Sequence, residues 1–148
     1  MRSKGRKTRP AGYQGDARLR GRNAKKALEV LSEARKPLSA YEVLDRLAPS
    51  GITAPTTVYR ALSRLVEEGL VHRLDSLNAY IVCDGHHAQH SEVMFVVCRV
   101  CHATEEITVP GVADALCEEL ADRGFSVAGA NIEIKGVCAH CSTQRGKD

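Results

Sequence analysis

Along the first half of the chain apolar residues return every three or four positions, and the interruptions fall where helices should stop. Ala24, Ala27, Leu28, Leu31 and Ala34 mark one face of a helix over about 23–34, with Pro37 just past its end. "SAYE" then sets Ser39 three residues before Glu42, the spacing of a capping box, and Val43, Leu44 and Leu47 carry a second stripe until "PSG" at 49–51 breaks it. A third helix is predicted through "PTTVYRALSRLVEEG". Pro55 sits in its first turn, where the missing N–H is tolerated, and Gly69 stands where a C-terminal cap belongs. Val58, Ala61, Leu62 and Leu65 form its inward stripe, while Thr56, Thr57, Arg60 and Arg64 face the other way.

The period then changes from 3.6 to two. Short strands at about Leu70–Asp75 and Ala79–Cys83, around "SLN", predict a hairpin that serves as the wing of a winged helix. A turn centred between Leu77 and Asn78 puts His72 directly across from Cys83, and opposed side chains lie about 4.5–5.5 Å apart at Cβ. A polar stretch, "DGHHAQHSE", follows. Beyond it "VMFVV" at 93–97 reads as a buried strand and "TEEITV" at 104–109 as a second. Gly111–Arg123 reads as a helix with Val112, Ala115, Leu116 and Leu120 inward, and Phe125–Gly136 as further strand. The expected fold class is α+β, with an arm at 1–21, a winged helix-turn-helix domain at 22–83, a hinge at 84–92 and a small C-terminal α/β domain at 93–148.

Composition narrows what such a chain can do. With 43% hydrophobic and 26% charged residues among 148, it reads as globular, and no run approaches the length of a membrane span. The basic N-terminus is not followed by the apolar stretch of a secretory signal, so a cytoplasmic location is expected. Residues 1–26 hold ten Lys or Arg against Asp16 alone, a local charge of +9, whereas the remainder carries 11 basic and 17 acidic residues. A basic arm on a mildly acidic body points to a polyanion, with nucleic acid the usual partner. Thr and Arg on the outward face of a second helix suit the major groove of double-stranded DNA. There Arg60 can make a bidentate contact to guanine, and Tyr59, Thr56 and Thr57 can reach phosphate or base edges.

Six cysteines in a reducing compartment point away from disulfides and toward metal or redox chemistry. Cys98-x-x-Cys101 and Cys138-x-x-Cys141 can close a tetrahedral Zn²⁺ site, since each turn presents two sulfurs to one point. The competing dithiol oxidoreductase usually has a single pair at a helix N-terminus, and here neither pair precedes an evident helix. A catalytic zinc with Glu105 as base is a further rival that leaves the helix-turn-helix unexplained. Of the other possible ligands, His72 and Cys83 stand out because the hairpin brings them together, with His90 a short loop away. Histidines in loops, such as His86 and His87, are usually only solvated, and Cys117 on the helix is most simply a buried thiol.

"SAYEVLDRL", "PTTVYRALSRLVEEGLVHRL", "NAYIVC", "HSEVMFVVCRVC" and "GVCAHC", taken in order and spacing, resemble the ferric uptake regulator family, most closely its zinc uptake regulator branch. The resemblance spans about residues 20–142. It implies a homodimeric winged-helix repressor, not an enzyme, with a C-terminal dimerisation domain, two zinc ions per chain, operator DNA as partner, and no small-molecule substrate or membrane. It assigns Cys98, Cys101, Cys138 and Cys141 to a structural zinc and His72, Cys83, His90 and Glu106 to a regulatory zinc at the hinge. Tyr41 and Arg60 match base-contacting positions of that branch. The hinge run "HHAQH" departs from the family's His-His-Asp-His, and the acidic residue and histidine of a third metal site are replaced near Ala113 and Asn131. Relatives answering to iron, manganese, nickel or peroxide remain the nearest alternative.

Overall fold

Helix α1 (Arg22–Ala34) buries Ala24, Ala27, Leu28 and Leu31 along one side, and after the short strand β1 (Leu38–Ser39) the chain enters α2 (Ala40–Leu47). Both halves of the capping box are made: Ser39 Oγ accepts from the Glu42 N–H at 3.2 Å, and the Glu42 carboxylate accepts from the Ser39 N–H at 2.7 Å. A 3₁₀ turn at Ala48–Ser50 and Gly51 in the left-handed region (φ 87°) redirect the chain into α3 (Pro55–Glu67). Helix α3 ends in a Schellman motif. Leu70 N–H donates to the Leu65 carbonyl at 2.9 Å and Gly69 N–H to the Val66 carbonyl at 3.0 Å, with Gly69 at φ 69°. The three helices enclose Leu28, Leu31, Val43, Val58, Leu62 and Leu65, and each fully buried leucine contributes about 1.5–3 kcal/mol. The computed structural model describes residues 21–83, 93–128 and 130–145.

Strands β2 (Val71–Leu74) and β3 (Ala79–Val82) form the wing, in a sheet ordered β1-β3-β2. Its register differs from the sequence expectation: His72 pairs with Ile81, not Cys83. Leu74 pairs with Ala79, so the hairpin closes through four residues, with Asn78 at φ 47° and its N–H donating to the Asp75 carbonyl at 3.3 Å. Leu-Asn does not suit a two-residue turn, which needs positive φ at both positions or glycine first. The discrepancy is two residues, and because side chains alternate with period two, every side chain keeps its face. Cys83 therefore lies one diagonal step from His72 on the same face, and its N–H extends the ladder to the Leu70 carbonyl at 3.0 Å.

Beyond residue 92, β4 (Val93–Cys98) is central. Strand β5 (Thr104–Ile107) pairs antiparallel on one side, and β6 (Asn131–Gly136) pairs parallel on the other after α4 (Val112–Asp122) makes the crossover. Three expectations are corrected here. Strand β6 begins at Asn131, and Phe125 is 66% exposed instead of lying in a strand. On α4 only Ala113 is buried, while Ala115, Leu116 and Cys117, the last expected as a buried thiol, are exposed, because the chain's own sheet does not cover that side of the helix. A helix not foreseen from the sequence, α5 (Ala139–Arg145), follows Cys138 directly. The wing and the C-terminal sheet share an apolar cluster: Leu74, with Leu77 and Ile81 beside it, packs on Val93, Phe95 and Val97.

Candidate metal centres and nucleic-acid face

Cys98 ends β4, and the chain reverses so that the His102 N–H donates to the Cys98 carbonyl at 3.0 Å, with His102 in the left-handed region at φ 60°. Cys138 follows β6 and Cys141 lies in the first turn of α5, which corrects the expectation that neither pair adjoins a helix. Because β6 runs parallel beside β4, both pairs emerge at the same end of the sheet. Their four sulfurs all lie within 4.8 Å of one another, and Cys101 Sγ is 3.7 Å from Cys138 Sγ. A tetrahedron with zinc–sulfur bonds of 2.3 Å has edges of about 3.8 Å, so the spacing fits zinc. Backbone N–H groups of Cys101, Cys138 and Val100 stabilise a thiolate at Cys98, lowering its pKa to about 5. Burial, followed by the neighbouring sulfurs, pushes the Cys141 thiol up to about 12. Four sulfurs at this spacing can all ionise only with a cation among them, which is the chemistry of a structural metal site.

A second cluster joins the two halves of the chain. One donor atom each from His72, Cys83 and Glu106 lies within 4.8 Å of the others. His72 is in β2, Cys83 follows β3, and Glu106 is on β5 directly opposite Phe95. Strand alternation sends Glu106 to the wing side and the neighbouring Glu105 to the other. His72 Nε2 and Glu106 Oε1 are withdrawn from solvent, and Cys83 is buried. A thiol, an imidazole and a carboxylate suit zinc. His90, with His86 and His87, lies outside the described residues. The Phe95 ring, which sequence reasoning assigned only to a buried strand, stands 5.3 Å from the His72 ring at 60°, holding the imidazole against the C-terminal sheet.

The outward side of α3 carries Thr56, Tyr59 and Arg60 exposed and Thr57 and Arg64 half-buried, while Val58, Leu62 and Leu65 are sealed beneath. Tyr41 on α2 is 62% exposed. At Gly21 a Cβ would lie 3.3 Å from Arg64 Nη1, so Gly21, at the start of α1, stands beside this face.

The profile of the ferric uptake regulator family matches residues 21–135, which takes in both clusters except the last cysteine pair. The chain belongs to the ferric uptake regulator family. Within that family it is 38% identical over 116 residues to the zinc uptake regulation protein of Escherichia coli K12, covering 77% of this chain and 67% of that one. It is 36% identical over 118 residues to the zinc uptake regulation protein of Mycobacterium tuberculosis, covering 77% of this chain and 85% of that one. Among solved structures, a zinc uptake regulator complexed with zinc and DNA superposes with a TM-score of 0.79 at 32% identity, over 85% of each chain. The holo form of XcZur superposes with a TM-score of 0.73 at 37% identity, over 83% of this chain and 86% of that one. The family fold is thus shared along most of the chain.

Proposed function

We propose that this chain is a zinc-responsive transcriptional repressor that binds operator DNA as a homodimer when zinc fills the site at its hinge, and so controls zinc uptake genes. The observation that carries this reading is the convergence of His72 and Cys83 from the wing with Glu106 from the C-terminal sheet. The domain division follows: an arm over 1–21, the winged helix over 22–83, the hinge over 84–92 and a dimerisation domain over 93–148. His90 from the hinge is the proposed fourth ligand. Zinc bound there supplies a crosslink between domains. Cys98, Cys101, Cys138 and Cys141 serve a separate, structural zinc. The thiolate of Cys83 favours zinc over the harder ferrous ion.

His72 and Cys83 hold the wing against β5 when they share a site with Glu106, and this orients α3 for DNA. Arg60 then reads guanine in the major groove, Tyr41 touches a base, and Thr56, Thr57, Tyr59 and Arg64 contact bases or backbone. A two-fold dimer reads successive half-sites when its two α3 helices stand about 34–36 Å apart. Leu116, Phe125, Val127 and Ile134 are exposed apolar residues that a second copy would cover. Taking the competent orientation from 1% to 99% requires about 5.5 kcal/mol of preference, which four metal bonds supply.

The test is a DNA-binding titration against free zinc, with zinc per chain measured alongside. Cys83→Ser should retain the structural zinc and lose zinc-dependent DNA binding. If that variant still responds to zinc as the parent does, the sensing site lies elsewhere.

A further inference from the structure

One row across the C-terminal sheet meets the wing at three points. Glu106 on β5, Phe95 on β4 and Glu133 on β6 are in register, so their side chains leave the same face. Glu106 joins the His72–Cys83 cluster and Phe95 packs on the His72 ring. Glu133, at the far end, takes no part in either metal cluster. Its Oε1 accepts from the Asp75 N–H at 2.6 Å and its Oε2 from the Ser76 N–H at 3.0 Å, both in the wing turn. Two residues earlier on the same face, Asn131 Nδ2 donates to the Arg73 carbonyl at 3.3 Å. Burial raises the Glu133 carboxyl, but the hydrogen bonds from Ser76 and Asp75 outweigh it and hold it below the usual range, so it is ionised at neutral pH. A carboxylate on two adjacent backbone N–H groups is a directional, charge-assisted contact.

We infer that Glu133 is a positioning residue: a metal-independent latch, seconded by Asn131, that holds the wing turn on the C-terminal sheet and so sets the zinc affinity of the hinge site. The dependence of zinc affinity on the latch rests on the sensing reading above; the latch itself does not. A site whose ligands come from two domains binds metal only in the docked state, and its apparent affinity scales with the docked fraction. By favouring docking without zinc, Glu133 raises that fraction. Zinc at one end of the row and the carboxylate at the other then stabilise the same arrangement, and the coupling between them is reciprocal.

The full-length chain, loaded at the four-cysteine site and without hinge zinc, provides the first measurement. The amide protons of Asp75 and Ser76 should exchange slowly with solvent, and fast in Glu133→Ala. Chelator competition with zinc alone should then show hinge-site affinity weakened roughly five- to tenfold in Glu133→Ala, the loss expected for hydrogen bonds to a charged group near the surface. Asn131→Ala, a milder surface change, should weaken it roughly twofold, and Glu105→Ala on the opposite face should not. Zinc at the four-cysteine site should be unchanged in all three. Unprotected Asp75 and Ser76 amides in the parent chain, or a Glu133→Ala variant with parental zinc affinity, would overturn the inference. A parent chain with protected amides that takes up no second zinc would refute the sensing reading and the proposed control of zinc affinity, while leaving the latch itself standing.

Discussion

Replacing Phe95 by alanine isolates the contribution of domain docking to zinc sensing. The ring is fully buried, at 0% exposure, and removing a buried phenylalanine side chain costs about 3–5 kcal/mol. Its apolar neighbours divide between two sources. Val93 and Val97 lie on its own strand, whereas Leu74, Leu77 and Ile81 belong to the wing. Roughly half of the cost, about 2 kcal/mol, therefore falls on docking, and the rest on the C-terminal domain by itself. At 1.4 kcal/mol per factor of ten, hinge-site zinc affinity should drop about thirtyfold. The winged helix should be untouched, because its core of Leu28, Leu31, Val43, Leu62 and Leu65 does not include Phe95. Chelator competition on protein carrying its structural zinc measures the first effect, and amide exchange within α1 and α3 the second. Parental hinge affinity in Phe95→Ala, or destabilisation confined to the winged helix, would refute the assignment of this cluster to docking.

Arg60→Ala should weaken binding to a duplex selected by the zinc-loaded protein by about 1–3 kcal/mol and relax specificity at one base, with zinc content unchanged; gel-shift competition across base variants reads this out. Cys98→Ser leaves three sulfurs where a tetrahedral site needs four, and should unfold the C-terminal domain and yield monomers, seen by circular dichroism and sedimentation. Ser39→Ala should cost about 1 kcal/mol of stability in thermal or denaturant melts through loss of the α2 cap. Donation from the Ser39 backbone and then its hydroxyl holds Glu42 below its ordinary 4.5, so its contribution is present above that pH and fades as pH falls through the lowered value. Ser39→Ala removes the hydroxyl but keeps the backbone donor, so acid titration of stability should be only partly flattened below pH 4.5, and an unchanged slope would exclude the hydroxyl as a source.

How much was legible in the chain differs between its halves for a physical reason. The helices α1–α3 and their cap could be read from the sequence because their determinants are local: apolar spacing, Ser39 with Glu42, Pro55 and Gly69. The two Cys-x-x-Cys pairs were equally plain, since each is a short-range motif. What depended on contacts distant in the chain was not. The wing register was two residues off because turn chemistry near Asn78, not the strands, decides it; His72 and Cys83 kept their common face only because the offset was even. The apolar spacing of α4 predicts a buried side, yet nothing in that pattern says whether a sheet of the same chain will cover it. Only the tertiary structure placed Glu106, Phe95 and Glu133 in one row. Strand pairing between β5, β4 and β6 sets that alignment, and it aims two carboxylates and a ring at the wing from positions up to 38 residues apart in the chain. The sequence determined which residues could bind metal or DNA; the packing of wing on sheet decided that His72, Cys83 and Glu106, three candidate ligands, converge.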